Sequence, residues 1–197
     1  MIENTDIIII KITENDRMEA IDMSGQNSSD WEDLLRAGFS VRNGILHRES
    51  GLCALEELVI PCGIVGIDSG CFRGSPVLRS VTLPETLTEL GASAFEDCAA
   101  LEEILIPSGI ARQRKKTFSG CRALRRITLP ASVTSIGEWA FRGCTALEQA
   151  LLPDSVTEIC AEVFLACPGL TILAPKDSAA ERFARQFAIP FREAKPG

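Results

Sequence analysis

Residues 124–144 read LRRITLPASVTSIGEWAFRGC, and the same pattern returns up and down the chain at a fixed interval. Leu55, Leu78, Leu101, Leu124, Leu147 and Leu170 stand 23 residues apart. Counting each leucine as position zero, Pro61, Pro84, Pro107, Pro130 and Pro153 fall at position six, directly after aliphatic pairs such as Ile104 and Ile106. Proline has no N–H to extend a ladder, so a short strand of the form Leu-x-x-Ile-x-Ile is predicted to stop at the same place in every repeat.

The rest of the repeat reads as an inward-facing set. Ile64, Leu87, Ile110, Val133 and Val156 share position nine, and Ile67, Leu90, Ile136 and Ile159 share position twelve, where Gln113 is the polar exception. Phe72, Phe95, Phe118, Phe141 and Phe164 recur next, with Cys98, Cys121, Cys144 and Cys167 three residues after the last four of them. A unit of this length cannot bury both faces alone, so successive coils must stack with like residues in internal columns. Six parallel strands about 4.8 Å apart make a stack only some 25–30 Å long, which gives the ends unusual weight.

The pattern Leu-x-x-Ile-x-Leu-Pro-x-x-Val-x-x-Ile-Gly-x-x-Ala-Phe-x-Gly-Cys resembles the BspA-like leucine-rich repeat of bacterial surface proteins, over residues from about Val41 to Phe191. Val41–Leu46, with its Asn43-Gly44 turn signal, is similar to the half-repeat that opens such arrays. Residues 175–191 are similar to the closing element, with Ser178 as N-cap and Phe183 and Phe187 at helical spacing. The resemblance implies an α/β, right-handed leucine-rich-repeat solenoid. A short parallel sheet lies on one face, irregular or short helical turns on the other, and a C-terminal helix at about 176–188 caps it. It also implies a protein-binding, non-enzymatic role at a cell surface.

Residues 1–40 lie outside the repeat and read as an N-terminal cap or a small leader module, against a solenoid domain over 41–191. A strand is expected around Asp6–Ile12, a polar loop around Ser24–Ser29, and a helix from Trp31 to Ala37 with Asp30 as N-cap and Gly38 as its stop. The run Ile7–Ile10 is too short for a membrane span and lacks the basic flank and long apolar core of a secretory signal. By sequence alone the compartment is the cytoplasm; by resemblance it is the cell surface or outside.

The chain has 197 residues, 46% hydrophobic and 24% charged, which places it among folded single domains. Its 27 acidic and 20 basic side chains give a net charge of −7, which argues against nucleic acid as a general partner. The eight cysteines lack the close pairs of zinc sites. Small buried thiols are the better reading of the column, although stacked coils lie within disulfide range. His47 is the single histidine, and neither a nucleophile elbow nor a phosphate loop is present, so no catalytic residue, cofactor or metal is expected.

Two surfaces are candidates for partner binding. On the strands, position one runs Glu56, Arg79, Glu102, Arg125, Glu148, an alternation in which each charge neutralises its neighbours. Position four runs Val59, Thr82, Leu105, Thr128, Leu151, Ala174, so Val59, Leu105 and Leu151 form an apolar row beside that ladder, with Glu102 and Arg125 on its rim. The second surface is the third coil, where Arg112, Arg114, Lys115 and Lys116 replace the usual Ile-Gly segment around Gln113. It reads either as a docking site for an acidic partner, or as a loop bulging out because Gln113 does not suit an isoleucine slot. The function expected is a protein-interaction module; the alternative is an architectural or self-assembling repeat unit with no dedicated ligand.

Overall fold

A residue that returns every 23 positions returns to the same place on a coil, and the computed structural model, which describes residues 9–12, 18–21, 34–49 and 51–194, places the chain accordingly. Ile9–Ile12 (β1) and Met18–Ile21 (β2) pair antiparallel. Residues 34–36 are helical and end at Gly38, whose φ of 86° is the left-handed conformation expected of a helix stop. The expected residues before Ile9, the Ser24–Ser29 loop, and Asp30 to residue 33 lie outside the described residues. Phe39–Arg42 (β3) and Ile45–Arg48 (β4) form a hairpin about Asn43 and Gly44, both at positive φ, as the Asn-Gly signal predicts.

From there each of the first five coils contributes two short strands and the sixth contributes one. The first of each pair are Glu57–Val59 (β5), Ser80–Thr82 (β7), Glu103–Ile104 (β9), Arg126–Thr128 (β11), Gln149–Leu151 (β13) and Thr171–Ala174 (β15). The second are Gly66–Ile67 (β6), Glu89–Leu90 (β8), Arg112–Gln113 (β10), Ser135–Ile136 (β12) and Glu158–Ile159 (β14). Phe191–Glu193 (β16) pairs parallel with β15 after the C-terminal helix Ala179–Gln186. The fold is therefore a parallel β-solenoid of six turns with a helical cap, but with two ribbons. The second ribbon, at positions eleven and twelve, was not expected, because two-residue strands leave no alternation to read.

Both ribbons are interrupted at the third coil. β5, β7 and β9 form one ladder and β11, β13, β15 and β16 another, while β8 and β10 divide the second ribbon. The turn side stays bonded through that point, as in Phe95 N–H to Thr117 O at 2.9 Å and Phe118 N–H to Ala140 O at 2.8 Å.

The core is a column. Phe72, Phe95, Phe118, Phe141 and Phe164 stack with ring centroids 5.0–5.5 Å apart and planes within 11° of parallel. Phe39 closes it at one end, tilted by 45°, and Phe183 at the other, edge-on at 68°. Ser178 caps the final helix by accepting from Glu181 N–H at 3.2 Å, and the Glu181 carboxylate accepts from Asp177 N–H at 2.5 Å in return.

Two backbone details decide local spacing. A Cβ on Gly91 would lie 2.4 Å from Ser69 N, so this coil approaches its predecessor closely only because glycine stands there. Ala166 is held at φ 62° where Gly74, Gly120 and Gly143 occupy the same position in other coils. Ala166→Gly is expected to raise stability by about 0.5–1 kcal/mol, read as a higher midpoint in urea, since the left-handed strain on a Cβ outweighs the entropy of glycine. An unchanged midpoint would show that the turn relaxes without cost.

Candidate functional site

On the first ribbon the outward rows follow from the two-residue alternation, with one correction. In β11 and β13 partners are 23 residues apart, as in Arg126 with Gln149, but in β13 and β15 Gln149 faces Thr171 and Leu151 faces Leu173, a spacing of 22. Leu170, Ile172 and Ala174 alternate strictly inward, so Ala174, expected on the surface, is fully buried and Leu173 takes the outward place. The apolar row is then Val59, Leu105, Leu151 and Leu173. Leu105 is 83% exposed and stands at the middle of the ribbon, against 36% for Leu151. Beside it, Thr82, Leu83, Ile104, Leu105, Ile106 and Pro107 line a shallow groove of about 400 Å³.

The charge ladder forms in two pieces. Arg79 reaches both Glu56, at 3.5 Å, and Glu102, at 3.3 Å, and Arg125 pairs with Glu148 at 3.6 Å. Among the described residues no ion pair joins Glu102 to Arg125, and the gap coincides with the break between β9 and β11. Position two carries Glu57, Glu103 and Arg126, exposed and outside any ion pair among the described residues. Charges this exposed contribute little to stability and much to the choice of partner.

The third coil keeps Gln113 inside the stack, against the reading of an outward bulge, although β10 pairs only with the fourth coil and not with β8. β10 keeps register with β12, Gly137 N–H donates to Gln113 O at 2.7 Å, and the Thr117 hydroxyl donates to Arg114 O at 2.7 Å. Those bonds hold the backbone in the coil, so Gln113 fills the isoleucine slot, 1% exposed, with no partner for either amide atom. The basic run divides. Arg114 pairs with Glu89 at 2.5 Å, and Lys116 lies 3.3 Å from the buried Glu96 and 5.2 Å above the ring of Trp139. Arg73 joins Glu96 at 3.2 Å. Arg112 and Lys115 are exposed and make no ion pair among the described residues, so only two of the four cations face outward unspent.

The cysteine column is regular, with Cys98, Cys121 and Cys144 buried and Cys167 half-buried at its end, where the hydrogen bond with Cys144 lowers the pKa of its thiol. Cys98, Cys121, Cys144 and Cys167 each donate to the carbonyl of the phenylalanine 26 residues earlier, at 3.0–3.2 Å. Burial pushes the Cys98 thiol up to about 12 and holds Cys121 well above the ordinary thiol range. Thiols held protonated in this way suit packing rather than nucleophilic or metal chemistry. His47 sits in β4 with Nδ1 2.8 Å from Asp68 and holds that carboxyl below its usual range. Among the described residues no group of three or more His, Cys, Asp or Glu could hold a metal ion, and no helix is long and apolar enough to cross a membrane.

One apolar surface escaped the sequence reading. Phe164, Leu165, Cys167, Phe183, Phe187 and Ile189 line a groove of about 490 Å³ between the fifth coil and the C-terminal helix. Leu165 and Phe187 are exposed in it. The spacing of Phe183 and Phe187 marks a helix face, but only the angle at which that helix lies decides what it leaves open.

The family model for the BspA-type leucine-rich repeat region matches residues 50–171 in six copies. Among solved structures, a leucine-rich cell surface protein from Faecalibacterium prausnitzii is 27% identical with a TM-score of 0.65, over 81% of this chain and 41% of that one. A leucine-rich repeat protein from Bacteroides ovatus is 31% identical with a TM-score of 0.62, over 69% of this chain and 39% of that one. The T. pallidum leucine-rich repeat protein is 29% identical with a TM-score of 0.62, over 68% and 67%. The chain thus spans about two fifths of the first two relatives. A search of curated protein sequences finds no match.

Proposed function

Because this chain belongs to the BspA-type leucine-rich-repeat family, we propose that it is a non-catalytic interaction module that binds protein through the outward face of its first ribbon, at a cell surface. The observation that carries this is Leu105, a large apolar side chain 83% exposed directly after β9, in the third of the six coils, where the ribbon's two ladders meet. An apolar centre with charges at its rim is the anatomy of a protein interface. Glu102 and Arg125 supply that rim, and Val59 and Leu151 extend the centre. Arg112 and Lys115 form a secondary contact for an acidic segment of the partner, while Arg114 and Lys116 serve the fold. The Faecalibacterium relative, described as a cell surface protein, supports the location.

The test is capture from host and bacterial surface extracts on the immobilised full chain, comparing wild type with Leu105→Glu/Leu151→Glu and with Arg112→Ala/Lys115→Ala. The first pair is expected to lose bound protein at least tenfold, and the second to weaken it about two- to fivefold at low salt. Undiminished capture by the ribbon variant, with its circular dichroism intact, would remove the ribbon as the site.

A further inference from the structure

We propose that the ribbon's occupant is a second copy of this chain, facing it about a two-fold axis that runs parallel to the strands between the third and fourth coils. The inference rests on the reading of the ribbon as a protein-binding face and names the partner. Such an axis keeps strand direction and reverses coil order, so position n of one coil faces position n of its mate. The third coil then meets the fourth, the second the fifth, and the first the sixth.

Every charged pair that results is complementary. Glu102 faces Arg125 of the mate, Glu103 faces Arg126, and Arg79 faces Glu148. Glu56 and Glu57 face the neutral end of β15 at Thr171. In the apolar row, Leu105 meets Thr128, Leu151 meets Thr82, and Val59 meets Leu173. The pairing of Glu103 with Arg126 is the informative one, because neither side chain has an ion partner within its own chain among the described residues. Axes through a coil fail, since one through the third would set Glu102 and Glu103 against their own copies and one through the fourth would do the same to Arg125 and Arg126. An axis between the second and third coils also pairs Arg79 with Glu102 and Glu57 with Arg126, but it overlaps four coils where the central axis overlaps six, so the larger buried face selects the central one.

A ribbon roughly 25–30 Å long and three residues wide gives an interface at the small end of the range, so the dimer is weak and salt-sensitive, forming at chain concentrations on the order of 10–500 µM. Sedimentation equilibrium of the full chain at about 20 mM and 500 mM salt tests this. Wild type is expected to dimerise at low salt and to weaken at least tenfold at high salt. Glu103→Arg and Arg126→Glu are each expected to be monomeric, since each sets two like pairs across the axis. An equimolar mixture of the two variants restores the dimer, because both contacts then carry opposite charges. The mixture also separates this outcome from misfolding.

Monomeric wild type throughout would overturn the proposal and leave the ribbon to a different protein, which the capture experiment decides. Dimerisation indifferent to both charge reversals and to Leu105→Glu/Leu151→Glu would place the contact elsewhere and equally overturn it. Loss of all association, to self and to extract proteins alike, only in Leu105→Glu/Leu151→Glu would uphold the ribbon while rejecting this register.

Discussion

Phe118→Ala is expected to lower the free energy of unfolding by about 3–5 kcal/mol, the cost of deleting a fully buried aromatic ring whose surroundings collapse only in part. Phe118 has no exposed surface and lies between Phe95 and Phe141, with centroids 5.5 Å away on each side and planes within 9° of parallel. Its carbonyl also receives the thiol of Cys144, and its N–H donates to Ala140 O, so the backbone around it is committed to the neighbouring coil. A backbone held this way resists closing over the lost ring. Domains of this size are stable by about 5–15 kcal/mol, so the variant stands near the edge of folding. Urea unfolding followed by circular dichroism reads the change. Phe164→Ala is the comparison, since that ring meets a parallel ring on one side and the edge of Phe183 on the other, and is expected to lose less. Equal losses at the two positions, or a loss below about 1.5 kcal/mol at Phe118, would mean the column is not the continuous element that joins the coils.

That column was legible in the sequence because a repeat converts position into contact. Once Phe72 and Phe95 are 23 residues apart, their stacking needs no further information. The proline stop, the Asn43-Gly44 hairpin and the Ser178 cap were legible for a different reason, since each is a local conformation set by one or two residues. What escaped lay where those rules end. The one-residue shortening at β15 moved Ala174 inward and Leu173 outward, and the interval between leucines carries no trace of it, because Leu170 keeps its place. The second ribbon is built from pairs of residues, too short for a period to appear. Of the candidate site, the identities of Leu105, Glu102 and Arg125 were readable, but the division of the third-coil cations was not. It depends on which carboxylate, Glu89 or Glu96, the adjacent coil brings within reach.

Gln113→Leu is expected to stabilise the protein by about 1–3 kcal/mol, the range for relieving a buried polar group that has no hydrogen-bond partner. Leu90 and Ile136 occupy the same position in the coils on either side and are both buried, so the slot is built for an aliphatic side chain of this volume. Neither the Nε2 nor the Oε1 of Gln113 has a partner, and it is the one residue in that condition among the described residues. The ladders holding β10 to β12 and Gly137 to Gln113 O are main-chain bonds that the substitution leaves untouched. Leucine therefore removes a penalty without removing a contact. Thermal and urea unfolding measure the gain, and Gln113→Glu, which would bury a charge in the same place, is expected to lose several kcal/mol. A loss of stability in Gln113→Leu would show that the amide is satisfied in solution, by an ordered water or a shift of the coil. If instead stability rises while ribbon association is unchanged, the third coil carries its glutamine at a cost to folding that the binding face does not require.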